Sequence, residues 1–242
     1  MKRLFDLVLS AGGLVLFSPV LGMVLLLIWI QDWHSPFYIA PRTGRGEKPF
    51  RMVKLRSMRM NADRSGVDST AANDRRITTV GHFVRRYKLD EVMQLWNVLI
   101  GDMSLVGPRP NVERETRLYT AEEKKLLTVR PGITDFSSIV FADEGDILTG
   151  KDDPDIAYNQ LIRPWKSRLG IFYIERRSLS VDFKLLWMTL LAIVSRRRAL
   201  QAVSRHLAAL SADPALVRVA LREDELVPMP PPGASQLVTS RP

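Results

Sequence analysis

The stretch that decides the fold is LFDLVLSAGGLVLFSPVLGMVLLLIWI, which runs from Leu4 to Ile30 and is almost wholly apolar. One continuous helix of this length would extend about 40 Å, which exceeds the bilayer's hydrocarbon core of about 30 Å. Pro19 has no backbone N–H to donate, and the Ser18 hydroxyl can bond the carbonyl that Pro19 leaves free. We therefore expect a break in the membrane segment at Ser18-Pro19.

Basic residues flank this apolar stretch on both sides. Lys2 and Arg3 precede it, and seven Lys or Arg residues follow it between positions 42 and 59. Because positively charged flanks stay on the cytoplasmic side, the pattern predicts a re-entrant helix-hairpin over residues 1–34 that dips into the membrane and returns. Hydropathy alone also allows a single-pass anchor, and that alternative stays open.

The composition bounds the remainder of the chain. Its 242 residues, 46% of them hydrophobic, suffice for one domain of ordinary size and an appendage. The 35 Lys and Arg residues against 26 Asp and Glu residues give a formal charge of +9. This excess favours a polyanionic partner, which is nucleic acid, an anionic membrane surface or nucleotide phosphates. The absence of cysteine excludes a disulfide framework and a thiolate metal site.

The patterns beyond the anchor predict an α/β, mostly helical domain over residues 35–198. A polar loop is expected at 61–74, and Thr120 with Glu123 forms a capping box that opens a helix. The apolar run at 180–194 is too short to span a membrane, so it is either a core helix or an amphipathic helix in the membrane interface.

Two features follow this run. Arg196, Arg197 and Arg198 either contact lipid phosphates or complement the end of a helix. Residues 199–242 form an extension with one further amphipathic helix, and its proline-rich end from Val227 is expected to be partly disordered.

Two adjacent carboxylates are the first candidates for chemistry. The spacing predicts a helix over residues 89–100 with Asp90, Gln94 and Asn97 on one face. Its buried stripe would consist of Leu89, Val92, Met93, Trp96 and Leu99. The helix dipole and the cations of Arg85, Arg86 and Lys88 would favour an ionised Asp90, as a nucleophile requires. Glu91 would orient an acceptor, act as a base or pair with a cation. An acidic pair at a helix start also arises from dipole complementation alone.

The second candidate is Arg109, which lies in the tetrapeptide Gly107-Pro108-Arg109-Pro110. Two prolines hold this arginine in a stiff, extended turn. A planar guanidinium held in that way suits bidentate phosphate binding. A structural turn whose arginine meets a carboxylate is the equal alternative.

These residues belong to an ordered series of motifs. The series is Lys2-Arg3 with Asp6, Ser18-Pro19, Lys54-Leu55-Arg56-Ser57-Met58, Asp74-Arg75-Arg76-Ile77-Thr78, Leu89-Asp90-Glu91, Gln94-Leu95-Trp96-Asn97-Val98, the run from Gly101 to Pro110, and Arg130-Pro131-Gly132-Ile133-Thr134. In this order the sequence resembles the bacterial sugar transferase family, the monotopic polyprenyl-phosphate phosphoglycosyl transferases that begin the assembly of surface glycans. The resemblance covers residues 1–195.

The resemblance implies a ping-pong reaction on the cytoplasmic side of the bacterial inner membrane. Asp90 would attack the sugar-bearing phosphate of a nucleotide diphosphosugar, most simply a UDP-sugar, and release the nucleoside monophosphate. Undecaprenyl phosphate, a polyprenyl phosphate, would then take the phosphosugar. In this scheme Glu91 completes the catalytic dyad, Arg85 and Arg109 bind phosphate, and Mg²⁺ bridges the diphosphate at Asp90.

Lys54 and Arg56 either add to this phosphate-binding field or belong to the surface. The implied partners are the nucleotide sugar, the polyprenyl phosphate and an anionic membrane surface, with no nucleic acid, and an oligomer is compatible with the sequence. The alternative is a membrane-tethered basic scaffold or a nucleic-acid-binding protein without catalysis. Such a protein would explain the charge but not the proline-bracketed Arg109.

The sequence departs from the family pattern after Ile133-Thr134. Asp135-Phe136-Ser137-Ser138 stands where the family usually has Gly, an aromatic residue or Leu, a small residue and Gln. An aspartate in place of that glycine would alter a turn near the donor site. The sugar, the nucleotide and the glycan that is built do not follow from the sequence.

Overall fold

The computed structural model describes residues 1–62 and 74–239, so most of the polar loop predicted at 61–74 lies outside the described residues. The helices are α1 (Lys2–Asp32), α2 (Thr79–Arg86), α3 (Gln94–Ile100), α4 (Glu113–Thr116), α5 (Phe136–Val140), α6 (Glu144–Leu148), α7 (Pro154–Ala157), α8 (Arg163–Arg176), α9 (Leu179–Val194), α10 (Arg196–Ala209) and α11 (Pro214–Val219). The strands are β1 (Phe37–Thr43), β2 (Pro49–Leu55), β3 (Ser104–Val106) and β4 (Gly132–Thr134).

The described chain is mostly helical with two small sheets, which confirms the mostly helical character that the sequence predicts. Strands β1 and β2 are antiparallel, with Phe37 opposite Leu55. Strands β3 and β4 are parallel, with Ser104 opposite Gly132. The predicted capping box is present as reciprocal bonds between Thr120 and Glu123, although the turn that it opens is a 3-10 helix, Glu123–Thr128.

The long helix α1 is apolar and long enough to cross a membrane. The Ser18 hydroxyl donates to the carbonyl of Val15 at 2.8 Å. Val15 is four residues before Pro19, so this is the carbonyl that the proline leaves without its helical partner. The predicted role of Ser18 is therefore confirmed. The helix continues through Pro19 to Asp32, and the re-entrant hairpin stays a prediction.

Both ends of α1 pack on the domain that follows it. Near the start, Arg3 donates to the carbonyl oxygens of Val98 and Leu99 at 2.5 and 2.8 Å. In the second half, Leu21, Val24 and Ile28 are buried in a small cluster with Leu55, Val84 and Leu89. Residues 15–20, about one and a half turns around Pro19, are all exposed. The middle of α1 is thus the part of the helix that the rest of the described chain does not cover.

The segment after Asp90 differs from the predicted helix in both continuity and facing. Leu89–Glu91 is a 3-10 turn, and α3 begins at Gln94. Gln94 and Asn97 are fully buried, whereas Trp96 is about half exposed. The predicted buried stripe is therefore wrong at Trp96, while Leu89 is buried and Val92, Met93 and Leu99 are partly buried. The Asn97 side chain accepts from the N–H of Val53 and donates to the carbonyl of Arg51, at 2.9 and 2.7 Å. Asn97 therefore pairs with backbone groups at the free edge of β2. This pairing keeps the polar face of α3 buried.

The main core joins the domain to the C-terminal extension. Phe136 of α5, Leu169 and Tyr173 of α8, Leu185 of α9 and Leu207 of α10 are all buried in one cluster. Thus α10, which begins at the arginine run, contributes to the same core as the helices before it.

The end of the chain is irregular but attached. The Met229 N–H donates to Gln160, the Thr120 hydroxyl donates to the Pro232 carbonyl, and Gln160 Nε2 donates to the Val238 carbonyl. The proline-rich composition predicted partial disorder there, whereas residues 227–239 pack as a strap. The predicted domain boundaries at 34 and 198 stay predictions.

Candidate active site

A cleft of about 350 Å³ opens between the β1–β2 sheet and the helices α4, α5, α6 and α8. Among the described residues that line it, five carry cations, namely Arg42, Lys54, Lys88, Arg109 and Lys166. Three carry carboxylates, namely Glu91, Glu115 and Glu144. Lys166 pairs with Glu144 at one end of the cleft. The remaining surplus of positive charge suits a ligand that carries several negative charges.

Glu91 and Arg109 both line this cleft and form a bidentate ion pair. Arg109 Nη2 donates to Glu91 Oε1 at 2.5 Å, and Nη1 donates to Oε2 at 3.1 Å. Nη1 also donates to the carbonyl of Ile133 at 3.1 Å. Burial opposes ionisation of Glu91, but Arg109 outweighs it by charge and hydrogen bonding and lowers the pKa of Glu91 to about 2. Glu91 is therefore an ionised carboxylate that holds the guanidinium in place.

The loop that presents Arg109 is fixed by two glycines. The N–H of Gly107 donates to Thr134 and the N–H of Gly132 donates to Pro108, at 3.0 and 2.9 Å. A Cβ atom on Gly132 would lie 2.1 Å from the backbone nitrogen of Gly107, which no side chain could occupy. This close contact between two backbones holds residues 107–110 against the short β3–β4 sheet. Arg109 lines the cleft from this position.

Asp90 directly precedes Glu91 in the chain but, unlike Glu91, is not among the residues that line the cleft. It belongs to the 3-10 turn that follows Lys88, whose φ of 56° is in the left-handed region. Its Oδ1 atom is buried without a hydrogen-bond partner in the described chain. Burial is the largest influence and, with the charge of Glu91, raises the pKa of Asp90 against the opposing charges of Lys54, Arg85 and Lys88.

The expectation that the local cations favour an ionised Asp90 stays a prediction, because burial opposes these cations and raises the pKa of Asp90. None of these cations donates a hydrogen bond to Oδ1, so desolvation is not compensated. An unpartnered buried carboxylate oxygen beside a cation-lined cleft is the strongest mark of function in this chain.

Lys54 and Arg85 approach Asp90 from two directions. Lys54 lines the cleft, and burial lowers its pKa against the opposing charge of Glu91. Arg85 Nε donates to the hydroxyl of Ser57 at 2.9 Å and is not among the residues that line the cleft. Burial lowers the pKa of Arg85, and the nearby charge of Asp90 opposes this effect. The two cations thus act on the same carboxylate, with Lys54 nearer to the open space.

Arg56, like Arg85, is a predicted phosphate-binding residue that does not line the cleft. Its guanidinium is 5% exposed and binds both oxygens of Asp32 at 2.5 and 2.6 Å. It also donates to the carbonyls of Ser35 and Ile28 at 2.8 and 3.3 Å. Arg56 is therefore the clamp that fixes the C-terminal end of α1 to the end of β2. The residue spacing does not predict this role for Arg56, because its partners lie 21 to 28 residues earlier in the chain.

Several cleft residues escaped the sequence analysis. Arg42 of β1, Glu115 of α4 and Lys166 of α8 come from elements that are far apart in the chain, and none lies in a distinctive local pattern. Lys88 directly precedes Leu89-Asp90-Glu91 and was weighed only for its charge. A residue that joins a site through long-range packing leaves no local sequence signal.

The departure at residues 135–138 forms a local cap. Asp135 is buried and accepts from the N–H and the hydroxyl of Ser138 at 2.7 and 2.6 Å, and from the hydroxyl of Ser137. It therefore caps the start of α5. Ser138 lines the cleft, so this non-family segment shapes part of its wall.

The comparisons with known proteins agree with this geometry. The chain belongs to the bacterial sugar transferase family, whose profile matches residues 1–196. It is 31% identical over 211 residues to the UDP-galactose-lipid carrier transferase of Erwinia amylovora, covering 81% of this chain and 41% of that protein.

Two further relatives match a similar share of this chain. The undecaprenyl-phosphate glucose phosphotransferase of Komagataeibacter xylinus is 34% identical over 206 residues, which are 82% of this chain and 36% of that protein. The exopolysaccharide production protein ExoY of Sinorhizobium fredii is 30% identical over 211 residues, which are 81% of this chain and 86% of that protein. The chain thus spans less than half of the length of the first two relatives.

Proposed function

We propose that this protein transfers a sugar 1-phosphate from a UDP-sugar to undecaprenyl phosphate and thereby starts the synthesis of a surface polysaccharide. Family membership supports this class of reaction, and the names of the relatives supply the acceptor and the donor type. The observation that carries the proposal is the unpartnered oxygen of Asp90 beside the Glu91–Arg109 pair in a cation-lined cleft.

The proposed reaction has two displacements at the same phosphorus. An Oδ atom of Asp90 forms a bond to the sugar-bearing phosphorus of the donor, and the bond from that phosphorus to the UMP oxygen breaks, so that UMP leaves with the electron pair. A phosphate oxygen of undecaprenyl phosphate then attacks the same phosphorus. The bond to Asp90 breaks, which frees the carboxylate for the next cycle.

The role of the cations follows from the charges involved. An anionic nucleophile can approach a diphosphate only where fixed positive charge offsets the repulsion. Arg109, held in place by Glu91, is oriented before the substrate arrives and does not need to be ordered during the reaction. Lys54 and Lys88 extend the positive field along the cleft.

Magnesium fits this arrangement as a substrate-bound ion. The described residues hold no cluster of three or more potential protein ligands, and the oxygens of Glu91 are committed to Arg109. Asp90, with a free oxygen, would hold the ion together with the donor phosphates, which is the usual mode for Mg²⁺. When bound, the ion would supply positive charge at the diphosphate and favour the ionised form of Asp90.

We further propose that the protein lies on the cytoplasmic face of the bacterial inner membrane. The exposed residues around Pro19, between two packed halves of α1, support the re-entrant hairpin. Helix α9 carries a second exposed apolar stripe, formed by Leu179, Phe183, Trp187, Leu190 and Val194. Such a stripe suits a helix that lies in the membrane interface, where the acceptor phosphate is found.

The test uses the full chain in nanodiscs that contain undecaprenyl phosphate, with a panel of UDP-sugars. The measurement is UMP release with Mg²⁺ and with chelator. We expect the wild type and Asp152→Asn, a change of an exposed carboxylate, to release UMP with at least one donor in a chelator-sensitive manner. Asp90→Asn should release none. Equal release by Asp90→Asn, or no release by the folded wild type with any donor, would contradict the proposal.

A further inference from the structure

A second cavity, of about 190 Å³, shares no lining residue with the cleft. We name it the N-terminal pocket. Its described lining residues are Lys2, Arg3, Asp6, Arg45, Ser104, Val106, Thr128, Val129, Arg130, Tyr173 and Arg177. Five of them are cationic, and they come from α1, the 3-10 turn after β1, the segment before β4, and the end of α8. None of the residues assigned to the proposed reaction lines this pocket.

The carboxylates at this pocket already have hydrogen-bond or ion-pair partners. Asp6 is 2% exposed and accepts from the Ser104 hydroxyl at 2.9 Å and from the Leu105 N–H at 3.2 Å. Asp182, beneath the pocket, binds Lys2 at 2.5 Å and the hydroxyl of Tyr173 at 2.6 Å. One cation, Lys2, is committed to this pair.

The remaining cations have capacity to spare. Arg3 uses its guanidinium on the carbonyls of α3, and Arg130 uses only Nε, which donates to Gly101 at 2.8 Å. The guanidinium groups of Arg45 and Arg177 have no partner among the residues that the structure describes. Three exposed guanidinium groups therefore surround a small polar cavity with donors left over for an anion.

The position of the pocket identifies the kind of anion. It lies where three elements with exposed apolar side chains begin or end. Leu4 follows Arg3 in α1, Ile100 precedes the carbonyl that Arg130 binds, and Leu179 comes two residues after Arg177. The ion pair between Lys2 and Asp182 ties the starts of α1 and α9 together. Exposed apolar residues at the ends of helices beside a cationic pocket suit a lipid whose head group lies in the pocket and whose chains lie along the helices.

We propose that the N-terminal pocket binds the phosphate head group of an anionic membrane phospholipid and that this lipid docks the starts of α1 and α9 on the bilayer. The inference rests on the membrane association proposed above and not on sugar-phosphate transfer. The lipid is a separate molecule from the acceptor, because the pocket and the cleft have no residue in common.

The test compares Arg130→Gln/Arg177→Gln with a matched control, Arg205→Gln/Arg218→Gln, which removes the same charge from exposed positions on α10 and α11. Native mass spectrometry in mild detergent counts the retained lipids, with phosphatidylglycerol, diacylglycerol and inorganic phosphate as separate probes. We expect the wild type and the control to retain one phosphatidylglycerol and no diacylglycerol. The pocket variant should bind phosphatidylglycerol at least about tenfold more weakly, since each arginine at a membrane surface is worth about fivefold.

Three outcomes would overturn the proposal. The first is equal retention of phosphatidylglycerol by the pocket variant and the control. The second is retention of diacylglycerol, which would show that the phosphate is irrelevant. The third is displacement of phosphatidylglycerol by an equal concentration of inorganic phosphate, which would identify a site for free anions. Lipid binding is measured without a nucleotide sugar. The result can therefore be interpreted even if the transferase proposal fails.

Discussion

The two neighbouring carboxylates of the site have opposite environments. Glu91 gives both oxygens to Arg109, whereas Asp90 keeps a buried oxygen without a partner. An unsatisfied buried oxygen costs stability, so its presence is best explained by a ligand that completes it. In the proposed reaction, this asymmetry divides the roles: Glu91 positions a cation, and Asp90 contacts the substrate.

The Arg109→Lys variant tests the positioning role. Lysine keeps the positive charge but cannot form the bidentate pair with Glu91. We expect UMP release to fall about a hundredfold, the scale of losing one oriented donor to developing charge. Arg117→Lys is the control, because Arg117 pairs with Glu113 on the exposed surface. Equal activity of the two variants would show that charge alone suffices at position 109.

At this scale the sequence supplied the candidate residues but not their environments. Asp90, Glu91 and Arg109 could be found because they stand in short, distinctive motifs. The burial of Asp90 and the missing hydrogen bond to its Oδ1 could not be found, because they depend on long-range packing. Arg56 was misjudged for the same reason, since its partners in α1 are remote in sequence.

At the scale of the elements, the C-terminal end of α1 tests the structural role of Arg56. In Arg56→Gln the carboxylate of Asp32 and two backbone carbonyls lose their donors. We expect a loss of about 2–3 kcal/mol in the free energy of unfolding, since Asp32 is partly exposed and keeps some hydration. Thermal unfolding in detergent measures this effect. The KM for the donor should not change at a temperature where the variant is folded. A raised KM with unchanged unfolding would restore the phosphate-binding prediction.

Helix α3 offers a second test through its two buried amides. Asn97 serves the backbone of β2, while Gln94 is buried with both amide atoms unpartnered in the described chain. Asn97→Leu should therefore lower the free energy of unfolding by about 2–4 kcal/mol, because two backbone groups lose their partner. Gln94→Leu should be neutral or stabilising. Urea denaturation compares the two, and an equal loss in both variants would contradict the assignment.

The facing of α3 shows why periodicity failed here. The apolar residues Trp96 and Ile100 are about half exposed, and α1 also exposes apolar side chains, so these surfaces depart from the usual pattern of a protein in water. Hydrophobic spacing predicts a buried stripe only where the outside is water. By contrast, α9 was placed correctly as a helix, because its length excluded a membrane span.

The whole molecule combines an apolar anchor, a cationic cleft and a C-terminal strap. The sequence predicted the anchor and the mostly helical domain, since both follow from composition and length. It did not predict that residues 227–239 return to the domain, because that contact is made by backbone carbonyls with Thr120 and Gln160 and has no sequence signature.

Deletion of residues 227–242 tests the strap. The strap binds Gln160, which lies close in sequence to Tyr158 and Lys166 of the cleft. Loss of several hydrogen bonds, offset by the entropy of the freed segment, should lower the unfolding temperature by about 2–4 °C. Differential scanning calorimetry of the full and shortened chains measures the change. An unchanged unfolding temperature would show that the strap contributes nothing to stability.

The central claim is that Asp90 becomes covalently linked to the sugar phosphate. The most direct measurement mixes the protein with a donor that supports UMP release, omits the acceptor lipid, quenches within milliseconds and maps the adduct by mass spectrometry. We predict one added sugar phosphate on the peptide that contains Asp90, which disappears when undecaprenyl phosphate is supplied before the quench. A protein that releases UMP in the complete reaction but never carries mass on Asp90 would contradict the account.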